Sequence, residues 1–199
     1  MPTILGITAS QISGRLANPA WDSIATYSAG ATGSITFSSI PSTYKNLRIV
    51  MRVRDVRTGA PYSGTIMSFN GGVGGTSYAY TWTFADSRNH NSTPFEDSTS
   101  GTGGIGFPTC GTSPYVSDGS VYAYNIIDIF DYQNTDKATT ALGMGGYVDN
   151  SSSYSIKNQV AFMINGTWMS TTTVSSIVLT PNNPNYAGSV RASLYGIKG

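Results

Sequence analysis

Cysteine and histidine are nearly absent: the 199-residue chain has one of each, Cys110 and His90. A single cysteine leaves no intrachain disulfide, and Cys110 reads as a small buried or loop residue rather than a nucleophile. A Ser-His-Asp or Cys-His site would have to use His90. That residue lies in the polar stretch 86–91, where nothing looks like a base held on a rigid element. Charge is scarce too. Only 11% of residues are charged and the net charge is +1, without the basic excess of a nucleic-acid binder. No apolar run approaches the length of a membrane span. Residues 1–15, MPTILGITASQISGR, lack the charged start and long apolar core of a signal peptide, so the expectation is a protein made and used without Sec export. No internal repeat and no convincing helix emerge. These absences predict a protein that is not an enzyme and has no catalytic residues, metal ligands or cofactor.

What is abundant is turn and strand material. Gly (23 copies) and Tyr (13 copies) stand out, and 12% of residues are aromatic. Gly, Ser, Thr and Asn fill the spaces between apolar runs. The stretch 39–55, SIPSTYKNLRIVMRVRD, shows the grammar best. Leu47, Ile49, Met51 and Val53 alternate with Arg48, Val50, Arg52 and Arg54, so one face of a strand is apolar and the other cationic. Arg48, Arg52 and Arg54 would repel one another in a dry sheet. Their face should therefore meet solvent or an acidic partner.

Residues 1–20 form a candidate N-terminal arm, with Ile4, Leu5, Ile7, Ile12 and Leu16 as isolated apolar points near Arg15. The alternatives are a frayed terminus and an arm that docks on another subunit. The body, 21–199, opens with WDSIATYS, and 21–28 with 34–37 predict a β-hairpin. Strands follow at 47–56 and 65–69. Asn70-Gly71-Gly72 is the strongest turn signal, because both central residues of a primed turn need positive φ. Segment 78–84 places Tyr78, Tyr80, Trp82 and Phe84 on one face. Segment 86–119 predicts a long excursion with one short strand at 104–107. Segment 121–132 predicts a central strand, and the glycines at 143, 145 and 146 predict a bent or bulged strand at 139–147. Strands at 158–164, 174–180 and 190–197 complete about ten. The expected fold is all-β: an antiparallel two-sheet sandwich, with a jelly roll as its topology.

Every pattern that could carry chemistry has a simpler explanation. Asp128, Asp131, Asp136 and Asp149 cluster in sequence but match no calcium loop, and turn chemistry explains most of them. GTGGIG at 101–106 lacks the strand–helix context and the Lys-Ser/Thr of a phosphate loop. A glycosidase would need two carboxylates held across a cleft, and nothing marks such a pair. Tyr78, Tyr80 and Trp82 form a candidate platform for a glycan or a protein, with a core face as the alternative.

Five segments together resemble a recurrent β-domain of tailed-bacteriophage virion proteins: WDSIAT, ITFSSIPSTYKNLRI, NIIDIFDYQNTDK, GTWMSTTTVSSIVLTP and the terminal SLYGIKG. The motifs that carry the likeness are IPSTY before a strand, DIxDYxNT after one and LYGIKG, and they extend from Trp21 to Gly199. The resemblance implies a structural role of the capsid decoration (cement) or fibre-head kind, with a sandwich or jelly-roll fold and no catalytic residues. It further implies a homotrimer on the capsid exterior, assembled in the host cytoplasm and bound to the major capsid protein; the apolar residues of 1–20 make the arm the candidate contact. No nucleic acid or membrane partner is implied. Fibre or tail-tip heads that bind a host receptor or glycan are the alternative.

Overall fold

The computed structural model describes residues 20–57, 62–71, 77–86, 95–110, 121–148 and 159–199. The arm residues Ile4, Leu5, Ile7, Ile12, Arg15 and Leu16 lie outside the described residues, as does His90. Twelve strands and no helix occur among the described residues. Eight form one sheet in the order β1 (Trp21–Ala29), β12 (Val190–Ile197), β3 (Asn46–Val53), β8 (Ala123–Phe130), β9 (Thr139–Val148), β10 (Gln159–Trp168), β5 (Tyr78–Asp86) and β6 (Phe95–Thr102). Four form the second, in the order β2 (Ile35–Phe37), β11 (Ile177–Pro181), β4 (Tyr62–Phe69) and β7 (Ile105–Cys110). Every pairing is antiparallel. The expected two-sheet sandwich is therefore present. The strand order establishes the sandwich and not a jelly roll.

The core lies between the sheets and follows from the period-two pattern. Leu47, Ile49, Met51 and Val53 of β3 and Ile127 and Ile129 of β8 are buried. They meet Ile35, Phe37, Met67, Phe69, Ile105, Phe107, Ile177 and Leu179 of the small sheet. Burying each Leu, Ile or Phe side chain of this kind contributes about 1.5–3 kcal/mol.

Three expectations are corrected. Segments 21–28 and 34–37 do not form a hairpin: β1 pairs with β12 in the large sheet and β2 with β11 in the small one. The stretch 86–119 holds more than the one short strand expected at 104–107: β7 covers that strand and pairs with β4, and β6, which was not expected, pairs with β5. β9 keeps an unbroken register with both neighbours, so its glycines make no bulge. Gly143 admits a close approach by the other sheet, whereas Gly145 and Gly146 abut backbone atoms of the neighbouring strands. A Cβ on Gly143 would collide with the Phe107 ring, and one on Gly166 of β10 would lie 2.6 Å from Ile105 Cγ2. The Asn70-Gly71 turn has the predicted backbone, with φ of 53° and 71°. It leads from β4 in one sheet toward β5 in the other. Tyr78 ties that crossover: its hydroxyl accepts the Phe69 N–H at 2.7 Å.

A buried polar cluster pins the far end of β3. Asp55 accepts hydrogen bonds from the Arg57 N–H at 2.9 Å, from Asn183 Nδ2 at 2.9 Å and from Ser63 Oγ. Thr65 and Tyr186 hydroxyls meet at 2.9 Å nearby. Burial pushes the Asp55 carboxyl above its ordinary value, and the bonds from the Arg57 N–H and Asn183 only partly offset that. Asp55 is fully enclosed, so the cluster joins β3, β4 and the β11–β12 connection without facing solvent.

Candidate functional site

The large sheet turns one face to the small sheet and the other away from it. On this outer face the register aligns side chains in rows. One row runs Ser193, Val50, Ile126, Met144, Met163 across β12, β3, β8, β9 and β10. Val50, Ile126, Met144 and Met163 are all exposed, as are Tyr124, Phe130, Val148 and Trp21. Adjacent strands lie about 4.8 Å apart, so these four aliphatic side chains make a strip roughly 14 Å long. Outward positions of a solvated strand are ordinarily polar. An apolar row on four neighbouring strands is a contiguous patch of the kind that marks an interaction surface.

The arginines of β3 project onto the same outer face and meet different surroundings. Arg48 stands opposite Asp128 of β8, which engages its Nε and, at 2.7 Å, its Nη2. Its guanidinium also lies 4.2 Å from the centre of the Trp21 ring. The carboxylate beside it holds the Arg48 pKa above the ordinary arginine value. Arg48 is thus neutralised within the fold. Arg52 is not: its neighbours across the ladder are Tyr124 and Arg191. It donates from Nη2 to the Ser189 carbonyl at 3.0 Å and packs 4.3 Å from the Tyr122 ring centre. Arg54 lies 5.2 Å from the same ring and is only 9% exposed, and its Nε and Nη1 have no hydrogen-bond partner. The expectation of a wet arginine face is therefore corrected for Arg54, which is buried, and holds in part for Arg48 and Arg52.

Beside Arg52 the outer face dips into an open cleft of about 490 Å³, lined by Ser28, Val50, Met51, Arg52, Tyr124, Ser189, Arg191, Ser193 and Tyr195. No carboxylate is among the lining residues. Sequence reasoning missed Arg191, Tyr122 and the serines, because only the pairing of β1, β12, β3 and β8 brings these distant segments together around Arg52. The apolar row left a readable trace, since Val50 and Ile126 occupy positions that alternation assigns to solvent.

The aromatic candidates face the other way. Tyr78 is 1% exposed and stacks 6.3 Å from Trp168 in the core, so it is no surface platform. Tyr80 and Trp82 are half-buried against the same core. The acidic cluster is dispersed: Asp128 belongs to Arg48, Asp131 pairs with Lys137 at 2.6 Å, and residue 149 lies outside the described residues. Among the described residues no group of His, Cys, Asp and Glu could hold a metal ion.

The segments behind the resemblance meet at one end of the sandwich. Tyr132 donates its hydroxyl to the Pro41 carbonyl, and Asn46 Oδ1 accepts the Asp131 N–H at 2.9 Å. The Tyr44 ring covers Gly196, leaving no space for a Cβ there, and the Lys45 N–H bonds the Ile197 carbonyl at 2.9 Å. IPSTY, DYQNT and LYGIKG are thus parts of one structural corner. No family model, curated protein or solved structure matches the chain.

Proposed function

We propose that the protein is a non-enzymatic structural component of a tailed-phage virion, a decoration (cement) protein that binds the major capsid protein as a homotrimer and strengthens the shell. The observation that carries this reading is the exposed row Val50, Ile126, Met144 and Met163. With Tyr124, Phe130 and Trp21 around it, the face has the composition of a protein interface, rich in aromatic residues and methionine. A chain with a net charge of +1 has little bulk field to attach by, so apolar and hydrogen-bonded contacts must do it. Each contact can be modest, because a trimer on a shell engages several sites together. The corner built from IPSTY, DYQNT and LYGIKG supports kinship with virion β-domains, and the apolar residues of 1–20 supply a candidate arm.

Labelled protein is expected on the capsid surface in electron micrographs of virions. Capsids without it should release DNA at lower temperature, and deleting residues 1–15 should abolish attachment while the sandwich stays folded. Label at the tail tip would overturn the decoration reading in favour of a fibre-head domain that binds a host receptor or glycan. The arginine- and serine-lined cleft is the observation on the side of that second reading.

A further inference from the structure

The cleft on the outer face holds cations without counter-ions. Arg191 and Arg52 stand directly opposite each other, and like charges in that position are destabilising. Next to the cleft, Arg54 adds a third guanidinium, 5.2 Å from the centre of the same Tyr122 ring, enclosed and with two nitrogens unpartnered. An enclosed cation that lacks a counter-charge is costly. β8 answers that cost at Arg48 of β3 by placing Asp128 opposite, and it is left unanswered at Arg52 of β3 and at Arg54 just beyond the strand. Among the described residues neither Arg52 nor Arg191 has a carboxylate partner. The remaining lining supplies short, directional groups: the hydroxyls of Ser28, Ser189, Ser193, Tyr124 and Tyr195. Tyr124 is 59% exposed, so part of its ring is open to a second flat body.

We propose that this cleft binds a carboxylate-bearing sugar unit, of the uronic or sialic acid kind. The guanidinium fork matches a carboxylate in a bidentate manner, which a point charge cannot do. About 490 Å³ is within the range of small-molecule sites, and a single acidic side chain would leave most of it unfilled. Hydroxyls around the rim suit a polyhydroxylated ring, and the open face of Tyr124 suits its C–H surface. The site is a property of the folded chain and does not depend on the capsid reading.

Titration calorimetry on the isolated protein tests this with oligosaccharides ending in glucuronic, galacturonic or N-acetylneuraminic acid. Controls are the neutral counterparts, inorganic phosphate and a Glu-Glu dipeptide. At least one acidic sugar should bind saturably and at least tenfold more tightly than its neutral counterpart, phosphate or the dipeptide. Arg191→Gln changes an exposed side chain and should weaken that binding tenfold or more with circular dichroism unchanged. Tyr124→Ala should weaken it as well. Absence of saturable binding by every acidic sugar would overturn the proposal. So would equal binding of the neutral sugars, binding of phosphate or the dipeptide as tight as that of the sugar, or full affinity in Arg191→Gln. All these measurements use free protein, so their failure leaves the virion assays to stand or fall separately.

Discussion

Asp55 shows how one enclosed carboxylate sets a pH dependence. Burial disfavours its charged form and raises its folded pKa above 3.8, while the bonds from the Arg57 N–H and Asn183 act against that. The folded state therefore holds a proton that the unfolded chain gives up near the ordinary carboxylate value. In that window the native form binds more protons, so stability contributed by Asp55 is present at low pH and is lost as pH rises through its folded pKa. Asp22 and Asp131 act in the opposite sense, because Lys198 and Lys137 respectively lower their pKa values. Comparison with Asp55→Asn cancels those common contributions. The difference in unfolding free energy, wild type minus variant, should fall as pH is raised from below 3.8, measured by urea denaturation at a series of pH values. A difference that rises with pH would show that the donors around Asp55 outweigh its burial.

At the scale of elements, legibility depended on whether a strand's own pattern or its partners decided its place. β3 and β8 could be read from alternation, because each has an apolar face buried by the small sheet. β6, FEDSTSGT, could not: it is an edge strand with a polar sequence, and edge strands are kept polar because their free side invites pairing. Adjacency in sequence misled at β1 and β2, where the turn between them carries the chain from one sheet to the other. The glycines of β9 and β10 carried a real signal, close backbone approach, which sequence alone could not separate from a bulge. The distinction is measurable. Gly143→Val inserts a branched side chain where Phe107 of β7 now packs, and overpacking a core in this way costs about 1–3 kcal/mol. The midpoint of thermal unfolding should fall by about 2–4 °C per kcal/mol. A bulge without a packing role would have tolerated the change.

For the whole molecule, the two faces of the large sheet hold different kinds of information. The inner face and the IPSTY–DYQNT–LYGIKG corner maintain the fold, and their residues were visible as motifs because packing demands particular side chains in particular places. The outer face was less visible, because its rows exist only once eight strands are in register. Changing its exposed methionines should therefore separate assembly from folding. Met144 and Met163 are directly opposed and each about half exposed, so Met144→Lys with Met163→Lys removes little buried area. Substitutions on an open surface ordinarily alter stability by no more than about 0.5 kcal/mol. Two ammonium groups in the middle of an apolar contact would each have to be desolvated, a penalty that an interface core cannot absorb. The double variant should stay folded by circular dichroism yet run as a monomer in light scattering and fail to attach to capsids. A Thr81→Lys variant, on the exposed outer side of β5 beyond the apolar strip, serves as the control and should assemble normally. Unchanged assembly in the double variant would remove the apolar row from the interface, and with it the observation on which the decoration reading rests.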